Sequence, residues 1–229
     1  MKEPKDLIRE ALAKGQTALS EYDSKRFLSG FGIPVTRETL VSDLASADDA
    51  AVGIGFPVVL KAAGAQLHHK TEIGGIALGL KNRREVKKEG RRLLKIPGCE
   101  ALLIQEMVKG SRELVCGLTR DPQIGPCVMF GLGGIFTELL DDVSFRIAPL
   151  TPWDAREMMR EIRGRGIIGP FRGEDAVDVD MLAKTLVALG DIGLRYEDVS
   201  EIDINPLKVG TDGKPVAVDA LVILKKAGR

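Results

Sequence analysis

At 229 residues, with 44% hydrophobic and 29% charged side chains, the chain is long enough for one substantial core or two smaller lobes, which excludes a disordered segment or a mini-scaffold. Its 33 basic and 33 acidic residues cancel, so net charge offers no ground for nucleic-acid binding. The start, Met1 to Asp6, has acidic charge and no apolar targeting core, and the uncharged stretch Pro122 to Thr137 is broken by glycines and too short for a bilayer; the expectation is a soluble cytoplasmic protein with no nucleic-acid or membrane partner.

In chain order, Leu7 to Lys14 reads as a short amphipathic helix, and Ser20 caps a second over Glu21 to Ser29 that Gly30, Gly32 and Pro34 stop. Val35 to Leu40 reads as a strand, Ser46 to Ile54 as a helix, and Val58 to Lys61 as a buried strand after the Gly55-Phe56-Pro57 break. A loop from Gly64 to Gly75 leads to the strand Ile76 to Leu80, a basic helix around Arg83 to Leu94, and the apolar strand Ala101 to Val108. The pattern then changes to successive β segments, Glu113 to Thr119, Cys127 to Leu132 and Val143 to Ala148, which predicts an antiparallel sheet in a second lobe. Thr151-Pro152 opens a helix to about Ile162, and Arg163 to Gly173 is a basic, glycine-rich loop. A helical stripe through Val179, Leu182, Leu186 and Leu189 precedes the strands Ser200 to Leu207 and Val216 to Leu224, joined by the turn Thr211-Asp212-Gly213. The lobe boundary falls near Val108 to Arg112.

Cys99, Cys116 and Cys127 are odd in number and lack CxxC spacing, and the only histidines, His68 and His69, are adjacent; neither a disulfide framework nor a zinc site is indicated. The segment Glu201-Ile202-Asp203-Ile204-Asn205-Pro206-Leu207 is more informative. Period-two alternation sets Glu201, Asp203 and Asn205 on one face, and a hairpin through Gly213 brings Asp219 beside Asn205. Such oxygen ligands suit Mg²⁺, which takes few protein ligands and completes its shell with water and phosphate, although a solvated strand face gives the same spacing.

Lys61 closes an apolar strand and is either an exposed lysine or a partner for phosphate oxygens. The loop His68-His69-Lys70-Thr71-Glu72-Ile73-Gly74-Gly75 follows it, with glycines that leave backbone N–H groups accessible to phosphates; a histidine here is an exposed loop residue or a nucleophile. Neither a P-loop nor a dinucleotide-binding glycine fingerprint is present. Gln105-Glu106-Met107-Val108 can present backbone groups and Met107 to an adenine, Glu113 can face a ribose, and Arg146, on the opposite strand face from Phe145 and Ile147, is a candidate for phosphate contact.

Together these segments resemble the β subunit of ADP-forming acetyl-CoA synthetases, nucleoside-diphosphate-forming acyl-CoA synthetases related to succinyl-CoA synthetase, from Leu19 to Leu224. The resemblance rests on Glu21-Tyr22-Asp23-Ser24-Lys25, Gly32-Ile33-Pro34-Val35, Phe56 to Lys61, His69 to Gly75, Gly117 to Gln123, Gly131-Leu132-Gly133-Gly134 and Glu201 to Pro206. It implies an α+β, two-lobed ATP-grasp fold: residues 1–108 as an N-terminal lobe with the phosphohistidine and glycine-rich loop, and 109–229 as a C-terminal lobe with the Mg-nucleotide site. It further implies that Lys61 contacts phosphates, that Glu106, Met107 and Val108 line the adenine site with Glu113 nearby, and that Asn205 and Asp219 hold Mg²⁺. The histidine before Lys70, His69, would be phosphorylated, with Asp203 as the carboxylate that orients a histidine for transfer.

The implied reaction is acyl-CoA + ADP + phosphate giving acid + CoA + ATP, with Mg²⁺ and ATP or ADP as cofactors. A separate α subunit would carry the CoA-binding and acyl-phosphate-forming site, in an α2β2 heterotetramer. Two other readings compete with this one. A free-standing ATP-grasp carboxylate ligase would need its own acceptor pocket, and a nucleotide-sensing module would transfer no phosphate.

Overall fold

In the computed structural model of the chain, residues 3–64, 67, 73–134 and 142–225 are described. They form two compact units, one of residues 36–107 and one built from residues 1–35 and 108–229. The first 35 residues, expected with the first lobe, therefore belong with the second. The cause is packing: Leu7, Ile8 and Ala11 of helix α1 (Pro4–Ala13) and Phe27 and Leu28 of α2 (Glu21–Ser29) are buried in one core with residues from 114 to 224.

The unit of residues 36–107 is a four-stranded antiparallel sheet covered by two helices. Its strands are β1 (Glu38–Val41), β2 (Val58–Ala63), β3 (Ile76–Leu80) and β4 (Ala101–Glu106), in the order β1-β4-β2-β3. Helix α3 (Leu44–Ile54) starts where Asp43 accepts the N–H groups of Ala45 and Ser46, and α4 (Arg83–Leu93) where Asn82 accepts that of Glu85. Ala47, Ala51, Val86 and Leu93 from the helices meet Val58, Leu60, Leu102 and Ile104 from the sheet. Alternation thus assigns Val58 and Leu60 to the helix-covered face and Val59 and Lys61 to the other.

The larger unit holds the antiparallel path β10-β8-β5-β6-β7, with β9 also paired to β8. These strands are β5 (Arg112–Asp121), β6 (Gly125–Leu132), β7 (Val143–Ile147), β8 (Val199–Val209), β9 (Pro215–Ala217) and β10 (Leu221–Leu224). The expected single strand Val216 to Leu224 is therefore two strands separated by a bend at residues 218–220. Helix α5 (Pro152–Glu161) begins with a capping box between Thr151 and Asp154 and has proline in its first turn, as expected. Helix α6 (Val179–Arg195) lies on the sheet at Gly193, where an added Cβ would stand 2.7 Å from Pro126 and 2.8 Å from Leu118. Only glycine allows that approach. The loop Arg163 to Gly173 contains a 3-10 turn, Arg165–Ile168.

Buried Arg112 ties this loop to the sheet. Its guanidinium donates to Glu174 at 3.2 Å, to the carbonyls of Ile167 and Gly169 at 3.2 and 3.0 Å, and to that of Asp175. Among the described residues no helix is long and apolar enough to cross a membrane.

Candidate functional site

Strand β8 alternates as expected. Ile202 and Ile204 are buried on the face packed by α5 and α6, so Asp203 turns to the open face, with Glu201 and Asn205 exposed on either side of it. On that face Asp203 is paired with Gly117 of β5 and Leu221 of β10. At Gly117 an added Cβ would stand 2.3 Å from the Ile202 carbonyl oxygen, so the backbone of β5 runs close beside Asp203 and raises no side chain next to it.

The hairpin brings Asp219 to Asn205. Leu207 pairs with Ala217, and Val218 donates its N–H to the carbonyl of Pro206 at 3.1 Å. The next position on each strand is Asn205 and Asp219. Burial pushes the Asp203 carboxyl up to about 6, and the neighbouring charges of Glu201 and Asp219 add to the effect. Three carboxylates and an amide oxygen thus share a small area whose negative charge a hard divalent cation would relieve.

Among the described residues no three His, Cys, Asp or Glu side chains form a metal-holding group on their own. The oxygen donors of Asn205 and Asp219 suit Mg²⁺, which is commonly held by one or two carboxylates together with nucleotide phosphates.

Lys61 is buried within β2, between Leu103 of β4 and Ile76 of β3, on the face away from α3 and α4. The exposed-lysine alternative is therefore overturned. Glu106 ends β4, and its carboxylate accepts the N–H and the guanidinium Nε of Arg37, each at 2.8 Å. Met107, at the end of this unit, is 39% exposed, while Val108 begins the second segment of the other unit. Glu113 lies 3.5 Å from the Lys208 ammonium, and its carbonyl accepts the N–H of Gly133 at 2.9 Å.

Arg146 is not brought to this site. It pairs with Val128, a residue of the helix-covered face, and its guanidinium is bonded to Glu161 of α5 and, at 2.8 Å, to the Phe145 carbonyl. Arg146 does lie on the opposite strand face from Phe145 and Ile147, but the helices cover the face that carries Arg146 and leave Phe145 and Ile147 each 51% exposed. His68, His69 and the following Lys70 to Glu72 lie outside the described residues.

Ser24 and Lys25, which carry no expected role in the sequence, bond to the segment around Asp219. The Glu21–Lys25 spacing of four on a helix was the available signal.

The chain matches the ATP-grasp domain family over residues 10–224. The β subunit of acetate–CoA ligase (ADP-forming) I from Pyrococcus furiosus is 39% identical over 227 residues, which cover 96% of this chain and 97% of that one. Acetyl-coenzyme A synthetase 1 of Ca. Korarchaeum cryptofilum, in complex with coenzyme A, Ca-AMPCP and HgCl⁺, superposes with a TM-score of 0.92 at 40% identity, covering 96% of this chain and 99% of that chain. In a second structure of that synthetase, with coenzyme A and Mg-AMPPCP, a phosphohistidine segment points towards the nucleotide-binding site; the TM-score is 0.87 at 40% identity, covering 97% of this chain and 100% of that chain.

Proposed function

The chain belongs to the ATP-grasp family, among the β subunits of ADP-forming acetyl-CoA synthetases, and on that basis we propose that it passes a phosphoryl group between a histidine and ADP in an acid–CoA ligase reaction. The overall conversion is acyl-CoA + ADP + phosphate to acid + CoA + ATP. An α subunit carries the CoA site and forms the acyl phosphate, and the two kinds of chain assemble in the cytoplasm as an α2β2 heterotetramer. The observation that carries the reading is the shared register that sets Asp219 beside Asn205, next to a carboxylate that burial and like charges hold partly protonated.

In the proposed chemistry the neutral imidazole of His69 attacks the phosphorus of the acyl phosphate: the N–P bond forms as the bond from phosphorus to the acyl oxygen breaks, and the carboxylate leaves as the acid. A terminal oxygen of ADP then attacks phosphorus and the N–P bond breaks, which returns a neutral imidazole and yields ATP. Asp203 accepts a hydrogen bond from the imidazole and orients it. Lys61 offers its ammonium to phosphate oxygens, while Glu106, Met107 and Val108 line the adenine and Glu113 faces the ribose. Asn205 and Asp219 would hold Mg²⁺, which when bound supplies positive charge to the phosphate oxygens. Arg146 has no part in this scheme, because its guanidinium is engaged with Glu161.

Brief exposure of the chain to ATP labelled in the γ-phosphate, followed by peptide mapping under conditions that preserve acid-labile phosphate, tests the reading. Label on His69, lost in His69→Ala and retained in His68→Ala, is the expected result. Label on His68, or full turnover by His69→Ala with an α subunit, would remove the covalent step and leave a nucleotide-binding module.

A further inference from the structure

Helix α2 opens with Glu21-Tyr22-Asp23-Ser24-Lys25, a motif to which the proposed chemistry assigns no task. Two of its side chains reach the segment that bears Asp219. The Lys25 ammonium donates to the Val218 carbonyl at 3.1 Å and to Glu21 Oε1 at 2.9 Å. The Ser24 hydroxyl accepts the N–H of Val222 at 3.1 Å. The side chains of Lys25 and Glu21 are only 1% and 6% exposed.

Neighbouring backbone bonds extend this hold to both sides of Asp219. Ala217 donates to the Pro34 carbonyl at 2.9 Å, and Leu19 donates to the Val222 carbonyl at 2.9 Å. The bend at residues 218–220 is thus gripped before and after Asp219 by residues 19–34.

A buried ion pair is a poor source of net stability, because desolvation cancels most of its attraction. What it supplies is direction: an ammonium held by a buried carboxylate fixes the carbonyl it also binds. We propose that the Glu21–Lys25 pair and Ser24 are positioning residues that hold the Val218–Val222 segment so that Asp219 is presented to the metal–nucleotide opposite Asn205. The inference rests on the reading of Asn205 and Asp219 as the metal site. It concerns residues that need touch neither metal nor nucleotide.

The test uses the full chain and Mn²⁺ as the probe, titrated at fixed ADP and followed by electron paramagnetic resonance, with metal-free ADP binding and thermal melting as controls. Glu21→Gln combined with Lys25→Met neutralises both members of the pair at once, so neither is left charged without the other. Ser24→Ala removes the second grip by an independent route. Each variant should raise the Mn²⁺ concentration for half-occupancy about tenfold, the scale seen when partners that orient a metal ligand are removed, and leave metal-free ADP binding unchanged.

In an Asp219→Asn background neither variant should weaken Mn²⁺ binding further, whereas a merely structural role would give the same loss in both backgrounds. That equal loss, or unchanged Mn²⁺ binding in both variants while Asp219→Asn weakens it, overturns the positioning role alone. No effect of Asp219→Asn removes the metal site and this inference with it.

Discussion

Asp219 stands across from Asn205 because the pairs on either side, Ala217 with Leu207 and Leu221 with Asp203, belong to the same antiparallel register. Asp219→Ala should therefore weaken the use of Mg-nucleotide far more than it affects folding. The side chain is half-buried beside Glu201 and Asp203, and its loss relieves repulsion without opening a core cavity. Stability should change by no more than about 0.5 kcal/mol, while the Mg²⁺ requirement rises at least about tenfold. Urea denaturation beside turnover at limiting Mg²⁺ measures both, and unchanged turnover would return these strands to a solvated polar edge.

Lys61 is 3% exposed, in a strand whose neighbours on either side are apolar, Ile76 and Leu103. Lys61→Met keeps the stem and removes the charge, so the sheet should persist while ADP binding weakens by at least about tenfold, the loss of one charge-assisted contact to phosphate. Calorimetric titration with ADP decides it. Full affinity would leave Lys61 as a buried lysine with a purely internal role.

Much of this was legible locally. Helices α2 and α5 announce themselves through Ser20, whose hydroxyl accepts the Asp23 N–H at 3.1 Å, and through Thr151-Pro152. The strand Ile76–Leu80 and the polar face of β8 follow from short-range pattern alone. What escaped is one local cap and several features that depend on distant partners. Helix α3 starts at Leu44, ahead of the expected Ser46, because Asp43 is the cap and Ser46 donates to it at 2.7 Å. Val35 leaves the expected strand to bridge Ala217, in the other compact unit from β1. The bend at Asp219 interrupts a run, Val216 to Leu224, that is otherwise apolar and has no glycine or proline to mark a break. The face of β7 covered by helices is the one bearing Arg146, and hydrophobicity pointed to the other.

Arg112 is the largest fully buried side chain in the chain's described part, and four groups from residues 167–175 share its guanidinium. Arg112→Met removes the donors and leaves these acceptors unpaired, at a cost of about 3 kcal/mol or more. Loss of this hold should also expose residues 165–175 to proteolysis before the rest of the chain unfolds. A variant as stable and as protease-resistant as the parent would contradict the assignment.

The three cysteines should differ in reactivity. Burial raises the Cys116 thiol well above its ordinary range, with the Asp203 charge adding to the effect, and burial also raises that of Cys127. Cys99 is half-buried and its thiol rests on the Ala101 carbonyl at 3.3 Å. A thiolate-specific reagent at pH 8 should therefore modify Cys99 first, and the other two only on unfolding. Mass mapping of the first modified peptide checks the order, and early labelling of Cys116 would refute it.

Asp203 makes the folded chain sensitive to pH in the direction opposite to most carboxylates. Its folded value of about 6 lies above the ordinary aspartate value of 3.8, because burial and the charges of Glu201 and Asp219 disfavour ionisation. Below about pH 4 the group is protonated folded or unfolded and costs nothing. As pH rises, the unfolded chain loses this proton first, so stability falls progressively and the full penalty, about 3 kcal/mol, is present above pH 6. Carboxylates held low, such as Asp43 at the cap of α3, act in the reverse sense, so the parent's own profile mixes the two. The difference between parent and Asp203→Asn isolates the one group. In the metal-free, nucleotide-free chain, Asp203→Asn should be more stable at pH 7.5, with the gain shrinking through pH 6 and vanishing near pH 4. Urea midpoints at each pH measure that difference. A gain independent of pH would assign the effect to packing, and a loss at pH 7.5 would show that the ionised carboxylate is held by partners stronger than its neighbours' repulsion.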